Sequence, residues 1–424
     1  MLEHVLRQED RTYEEVAAEY ERLAVSLGER GLSISARHLR RLASGERTGT
    51  TPSTRRVLQA MFKIPASELL RPWNAGTGMS AGHGFLPSRA EAEQLLHLAA
   101  EQSRAAAFGG ELPMSAEAIE QLHDEVRELA TLYPVRPLPT VLGRLVTTQS
   151  TILALLKRRQ TPANARSLYF LAAVVAGLLA YAGNDLGRPE LALTHARTAF
   201  RWATYTDHHG LQVWVRALQS FICFWADRPR EALRYAELGV PSADAASGSA
   251  PAWLFAGEAR AWSALGNARR ARDLIGKAEA ACEQAQPDDL DAIGGLCTFA
   301  WPRYLYYAGR ALATLPEESA TAERLSVEAV RAYRDHDQPT WDFACEADAR
   351  ISVALARVSR GELDGVTESL TPVFALPEDD RIHDLVRTMH LVQGELDRFG
   401  TATSRDLQEQ IVTFTEHSLP VSAR

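Results

Sequence analysis

Cysteine and the sequence motifs of catalysis are scarce in this chain. Only four cysteines occur among its 424 residues, and none lies in a C-x-x-C pair or near a histidine at zinc-ligand spacing. We therefore expect buried thiols in a reducing compartment rather than disulfides or metal ligands. The chain also lacks a G-x-x-x-x-G-K-[ST] phosphate loop and an H-E-x-x-H zinc motif. These absences argue against an enzyme and against a bound metal or cofactor.

Signals for export or membrane insertion are also weak. The first four residues, M-L-E-H, include an acid, and no apolar signal-peptide core follows them. The longest uncharged run, residues 167–184, only reaches the lower limit for a membrane span. It is rich in alanine and contains two glycines, which favours a helix buried in a helical array. We expect a cytoplasmic protein with no membrane partner.

The chain does contain abundant alanine and leucine in helical periodicity. Hydrophobic residues make up 46% and charged residues 24%, which is the composition of a globular protein. This bias predicts an all-α fold. Residues 74–87 carry four glycines and no periodicity, which indicates a flexible linker. We therefore predict an N-terminal domain over residues 1–73 and a larger domain over residues 88–424.

Charge is distributed unevenly along the chain. The net charge is −8, yet residues 1–72 hold 12 Lys and Arg against 10 Asp and Glu, which leaves 34 against 44 in the remainder. Within residues 35–63, seven basic side chains accompany a single acid, Glu46. A small basic patch on an acidic chain is typical of a protein in which one module contacts nucleic-acid phosphates.

Three short helices are predicted in the N-terminal domain. The first has one apolar face over residues 11–27 and begins at a capping box of Thr12 and Glu15. The second begins after the N-cap Ser35 and turns two leucines inward. The third covers residues 53–62. A short helix fits the major groove of DNA, where the side chains near its N-terminus reach base edges.

Polar and basic side chains in and after the second helix are candidate DNA contacts. Arginine can bind guanine through two hydrogen bonds, worth about 1–3 kcal/mol of discrimination, and a helix N-terminus suits phosphate. The alternative interpretation is a solvent-exposed basic face with no ligand. The predicted DNA-binding residues are Ser35, Arg37, His38, Arg40, Arg41, Arg47, Arg55 and Arg56.

The C-terminal domain repeats a pair of helices. Each pair contains a turn in which a small or polar residue precedes charged residues and an alanine-rich helix. The turns begin at Gly187, Asp227, Gly266, Pro316 and Gly361, with spacings of 40, 39, 50 and 45 residues. These lengths are near those of TPR-like or HEAT-like units, but they exceed the roughly 34 residues of a strict TPR, so the repeats are stretched or degenerate. We therefore predict a TPR-like α-solenoid with a concave groove.

Large aromatic side chains on the first helix of each pair would face that groove. Aromatic anchors beside polar groups such as Gln219, Glu258 and Glu346 suit a peptide or small-molecule effector. The alternative is that they form the core between repeats. The predicted groove residues are Trp214, Arg216, Trp253, Trp301, Arg303, Tyr304, Tyr307 and Trp341, with Trp225 in the same series.

Two segments resemble parts of known regulators. S-I-S-A-R-H-L-R-R-L-A-S-G-E-R resembles the recognition helix of Xre/Cro-type helix-turn-helix domains, and V-L-Q-A-M-F-K-I-P-A-S-E-L-L resembles their closing helix and turn. The first helix is longer, and the turn after it wider, than in a compact Xre domain. Nearly the whole chain is similar to actinobacterial regulators that join this domain to TPR-like repeats. The resemblance implies an N-terminal helix-turn-helix bundle followed by a TPR-like α-solenoid.

Together, the patch, the periodicity and the resemblance lead us to expect a sequence-specific DNA-binding transcriptional regulator. Its TPR-like domain is expected to sense a peptide or small-molecule effector, to mediate dimerisation, or both. The expected partners are double-stranded DNA, such an effector, and a second copy of the chain. The alternative is a TPR-type protein-protein interaction scaffold without DNA binding.

Overall fold

The computed structural model describes residues 2, 6, 11–29, 31–44, 50–62, 69, 115–334 and 340–416. The secondary structure of these residues is helical, and they contain no strand. The all-α prediction is confirmed for this part of the chain. The chain divides into two compact units, Met1–Ala99 and Ala100–Arg424. The predicted linker, residues 74–87, lies outside the described residues.

Three helices with described bounds form the N-terminal unit. They are α1 (Tyr13–Ser26), α2 (Ala36–Ala43) and α3 (Pro52–Phe62). As predicted, α1 begins at a capping box. The Glu15 backbone N–H donates to the Thr12 hydroxyl (3.2 Å), and the Thr12 backbone N–H donates to the Glu15 carboxylate (2.8 Å). The box satisfies two amides that the first helical turn leaves without partners.

Apolar side chains of all three helices share one core. Helix α1 packs against both α2 and α3. Leu27 of the predicted apolar face is 49% exposed, because α1 ends at Ser26 and Gly28 adopts a left-handed conformation with φ 82°. The buried residues are Leu2, Leu6, Val16, Tyr20, Ala24, Ile34, Leu39, Leu42, Val57, Leu58, Phe62 and Leu69.

Fourteen further helices with described bounds form the C-terminal unit. They are α4 (Ala116–Leu132), α5 (Leu138–Leu156), α6 (Pro162–Asp185), α7 (Pro189–Ala203), α8 (His209–Trp225), α9 (Pro229–Ala243), α10 (Ala250–Ala264), α11 (Ala268–Gln284), α12 (Trp301–Leu312), α13 (Ser319–Ala332), α14 (Phe343–Arg360), α15 (Asp364–Phe374), α16 (His383–Leu396) and α17 (Ala402–Glu416). From α6 onward, successive helices pack in pairs, which is consistent with a helical repeat region. The first helices of the pairs, α6, α8, α10, α12, α14 and α16, also contact one another in that order.

Four of the five predicted turns use the same backbone conformation. The residue just beyond the helix is left-handed at Gly187 (φ 64°), Asp227 (63°), Gly266 (74°) and Gly361 (79°). In each turn the next N–H donates to a carbonyl five residues back, at 2.7, 2.9, 3.0 and 3.0 Å respectively. These bonds satisfy carbonyls that a helix end leaves free. The fifth turn instead contains a 3-10 helix, Pro316–Glu318.

Helix α6 lies deep in the C-terminal unit. Among the described helices, it alone is long and apolar enough to cross a membrane by length and composition, and 78% of its apolar window is buried inside the unit. A Cβ atom at Gly177 would lie 2.2 Å from the Trp214 ring. The glycine therefore lets the indole of α8 pack directly against the α6 backbone.

The last of these first helices, α16, is connected to α6 and to the turn after α8 by side-chain contacts. Asn184, at the end of α6, donates to both carboxylate oxygens of Asp384 on α16 (2.9 and 3.0 Å). Arg387 of α16 pairs with Asp227 in the turn after α8 (2.9 Å). Helix α16 therefore contacts α6, the first helix of the paired series, as well as its neighbour α14.

Candidate functional site

Helix α2 presents an apolar face to the core and a polar face to solvent. Leu39 and Leu42 are at most 2% exposed and fix its rotation. As predicted, Ser35 is the N-cap, and its hydroxyl accepts a hydrogen bond from the backbone N–H of the half-buried His38 (3.2 Å). Arg47 lies outside the described residues.

Three arginines lie on the exposed face of α2. Arg37 and Arg41 are one helical turn apart, and Arg40 lies beside them. The Arg40 guanidinium lies 5.2 Å from the centroid of the Tyr13 ring and 3.9 Å from the Glu14 carboxylate, so α1 orients it. Arg37 makes no hydrogen bond or ion pair with any other residue that the structure describes. Its guanidinium is available to a ligand.

Two arginines at the start of α3 contact the N-terminal unit itself. Arg55 Nε donates to the Thr50 hydroxyl (3.3 Å). Arg56 pairs with Glu29 and donates to the Ser53 hydroxyl (3.2 Å). Exposed pairs of this kind contribute about 0–1 kcal/mol, because water competes for both partners. A phosphate could therefore replace them at small cost.

Five of the predicted groove residues are buried between helices. Trp253 Nε1 donates to the Tyr307 hydroxyl (2.8 Å), and Trp214 Nε1 donates to the Leu296 carbonyl (3.0 Å). The two indole N–H groups are thus satisfied within the unit, as in a core between repeats. The five are Trp214, Trp253, Arg303, Tyr304 and Tyr307, and none is more than 7% exposed.

The other three predicted groove residues reach the surface to different extents. Trp301 is 44% exposed, and its ring lies 4.8 Å from that of Tyr304. Arg216 is half-buried and lies over an aromatic ring. Trp341 is half-buried and donates to the Glu346 carboxylate (2.9 Å). These three side chains are spread over two helices and the segment before a third, and they line no common cavity among those described.

A small cavity lies among the buried aromatic residues. Tyr181, Arg303, Tyr307 and Cys345 are among its lining residues, and its volume is about 60 Å³. Pockets for small organic ligands usually measure about 300–1,000 Å³. This cavity has room for water but not for an effector of that size.

A larger cavity, of about 530 Å³, opens where the C-terminal ends of α8, α10 and α12 meet α16. We call it the arginine cavity, because Arg260, Arg310 and Arg387 line it together with Trp225. Arg260 is 1% exposed and Arg310 is 3% exposed. The sequence analysis missed both. Each interrupts a largely apolar helix face, which is the signal that could have revealed them.

Two carboxyl groups are buried where α6 meets α16. Burial raises the pKa of Asp185 to about 7, although the Tyr133 hydroxyl donates to it (2.8 Å). Burial and the neighbouring Asp185 raise the pKa of Asp384 well above its usual range. Both carboxyl groups are therefore harder to ionise than they are in water.

Metal-ligating side chains do not converge in the part of the chain that the structure describes, where no three His, Cys, Asp or Glu residues form a candidate site. His208 caps α8, since its ring accepts a hydrogen bond from the Leu211 backbone N–H (3.0 Å). The four cysteines are free thiols, three of them buried and Cys282 half-buried. Burial raises the pKa of Cys282 to about 12, so that thiol stays protonated at neutral pH.

No family model, curated protein or solved structure matches this chain. The two features of the protein that bear on its function are the exposed arginine face of α2 and the arginine cavity of the C-terminal unit.

Proposed function

We propose that the protein is a sequence-specific DNA-binding transcriptional regulator, with α1–α3 as a helix-turn-helix and α2 as its recognition helix. The observation that carries the proposal is the orientation of α2. Leu39 and Leu42 hold one side in the core, and Arg37, Arg40 and Arg41 stand on the other. Eight residues make a helix about 12 Å long, which suits the width of the major groove.

The roles of the individual side chains follow from their contacts. Arg37 is near the N-terminus of α2, where a recognition helix reaches base edges, so we assign it to base recognition. Arg41 and Arg40 flank it on the same face. Arg55 and Arg56 lie near the N-terminus of α3, where their positive charge favours a backbone phosphate.

The C-terminal unit is proposed to be a TPR-like repeat domain that senses a peptide or small-molecule effector, supports dimerisation, or both. Its paired helices and repeated left-handed turns favour this assignment. A homodimer in the cytoplasm would place two copies of α2 on two half-sites one helical turn of DNA apart.

The test begins with selection of genomic DNA fragments that bind the purified full-length protein, followed by gel-shift titration. Arg37→Ala should weaken binding to the selected sequence by about 1–3 kcal/mol, roughly fivefold to 150-fold. Arg22→Ala is a matched control, because Arg22 is an exposed arginine on α1, outside the α2 face. It should bind nearly as tightly as the wild type.

Two results would contradict the proposal. One is the absence of any enriched fragment. The other is a double variant, Arg37→Ala with Arg41→Ala, that binds the selected DNA as tightly as Arg22→Ala does. Either result would favour a protein-protein interaction scaffold, in which the N-terminal bundle does not bind DNA.

A further inference from the structure

Two guanidinium groups at the arginine cavity share a single carboxyl group, that of Asp348. Arg260 Nη1 donates to the Tyr306 hydroxyl (3.4 Å), which donates to Asp348 (2.7 Å). Arg310 Nε lies 3.7 Å from the same Asp348 carboxylate. Asp348 is only 2% exposed. A buried charge is costly unless it is paired, and here buried positive charge exceeds the negative charge beside it.

Several donors at this cavity have no acceptor. They are Nε and Nη2 of Arg260, Nε of Arg310 and Nε1 of Trp225, while Oδ1 of Asp348 beside them has no donor. The guanidinium carbons of Arg260 and Arg310 lie 5.5 and 6.0 Å from the centroid of the Trp225 ring, which stabilises their charge. Aromatic faces do not replace an oxygen acceptor, and arginine cannot lose its proton at neutral pH. These buried donors therefore suit an anionic partner.

The other charged groups around the cavity do not supply that anion. Arg387 adds a third positive charge, and its partner Asp227 is an 80% exposed side chain at the rim. Glu317 lines the cavity but is exposed to solvent. Asp384 is not among the residues that line the cavity, and burial raises its pKa. Burial also lowers the pKa of Arg310, and the neighbouring arginines add to this effect.

We propose that the arginine cavity binds a small molecule through a multiply charged oxyanion, either a phosphate or a pair of carboxylates. Its volume of about 530 Å³ suits a small organic ligand. Arginine binds such oxyanions through two parallel hydrogen bonds. Trp225 and Phe224 line the same space and would cover the less polar part of the ligand. This site would bind without DNA, so it does not rest on the function proposed above.

Calorimetric titration and thermal melting of the full-length protein, without DNA, test the proposal. The probes are pyrophosphate and citrate, each compared with sodium chloride at the same ionic strength. Saturable binding and a higher melting temperature are expected with at least one probe, because a ligand that binds only the folded state stabilises it. A preference for pyrophosphate would indicate a phosphate ligand, and a preference for citrate a carboxylate ligand.

Three variants locate the binding. Arg310→Met leaves Arg260 with Asp348, so the unliganded variant should melt within about 2 °C of the wild type or above it, yet lose anion binding. Arg387→Gln should weaken binding about tenfold. Arg144→Gln is the matched control, because Arg144 pairs with Glu128 outside the cavity. It should bind like the wild type.

Two outcomes would overturn the proposal. The first is no saturable binding of either probe up to about 10 mM, where even weak specific binding is detectable. If Arg310→Met then also melts far below the wild type, the guanidinium serves only to stabilise the end of α12. The second outcome is an Arg310→Met variant that binds as the wild type does.

Discussion

Arginine occupies opposite environments in the two units of this protein. On α2, Arg37, Arg40 and Arg41 are exposed and lie over a leucine core. In the C-terminal unit, Arg260 and Arg310 are at least 97% buried, among aromatic rings and around one carboxylate. The exposed guanidinium groups stay hydrated, so they lose little solvation free energy on folding. The buried set has lost its water and depends on the few groups that face it.

Because of this difference, an exposed arginine indicates binding, whereas a buried arginine indicates how the fold is stabilised. An exposed guanidinium interacts weakly with its neighbours, because water screens the charge, so its presence says more about a partner than about stability. A buried guanidinium interacts strongly with every nearby charge. Removing its partner should therefore change folding, whereas removing an exposed guanidinium should change binding alone.

The largest expected effect is on the buried set. Asp348→Ala leaves Arg260 and Arg310 without the carboxyl group that faces them and should lower the free energy of unfolding by about 3–5 kcal/mol. Urea denaturation followed by tryptophan fluorescence would measure it. Glu362→Ala, which removes an exposed partner of Arg360, should lower the free energy of unfolding far less, because water screens that pair. Equal losses in the two variants would remove the contrast between buried and exposed arginines.

A second effect extends the comparison to buried acids. Because burial raises the pKa of Asp185 from 3.8 to about 7, the folded state favours its protonated form. The stability from this group is complete below about pH 4 and is lost as the pH rises through 7. One proton gives a slope of at most about 1.4 kcal/mol per pH unit.

Thermal melting between pH 4 and 8 checks this effect. Asp185→Asn keeps an acceptor for the Tyr133 hydroxyl but does not titrate, so its melting temperature should fall less with rising pH than that of the wild type. An identical pH dependence in the two proteins would show that Asp185 ionises normally in the fold.

The smallest expected effects concern α2. Ser35→Ala removes the N-cap hydrogen bond and should cost about 0.5–2 kcal/mol of stability. Arg37→Ala should change stability by less than about 0.5 kcal/mol, although it weakens DNA binding. Circular dichroism during thermal melting would measure the change in stability that each variant causes. A destabilisation by Arg37→Ala as large as that of Ser35→Ala would show that Arg37 supports the fold.

Local features of the fold could be predicted from the sequence, and long-range convergence could not. The Thr12–Glu15 box and the Ser35 cap depend on residues three positions apart, so one segment contains all the information. The arginine cavity combines four helices that are separated in sequence. Whether an aromatic such as Trp253 faces a groove or a neighbouring helix also depends on how the pairs pack, which periodicity does not specify.

The bond between Asn184 and Asp384 limits how the repeat region can change in length. An open stack of hairpins can gain or lose a unit, because each unit touches only its neighbours. Here a deletion of one hairpin would pull α16 away from α6 and expose two carboxyl groups that are now buried. Duplication of a hairpin would also separate α16 from α6. The contact between these two helices therefore fixes the number of hairpins.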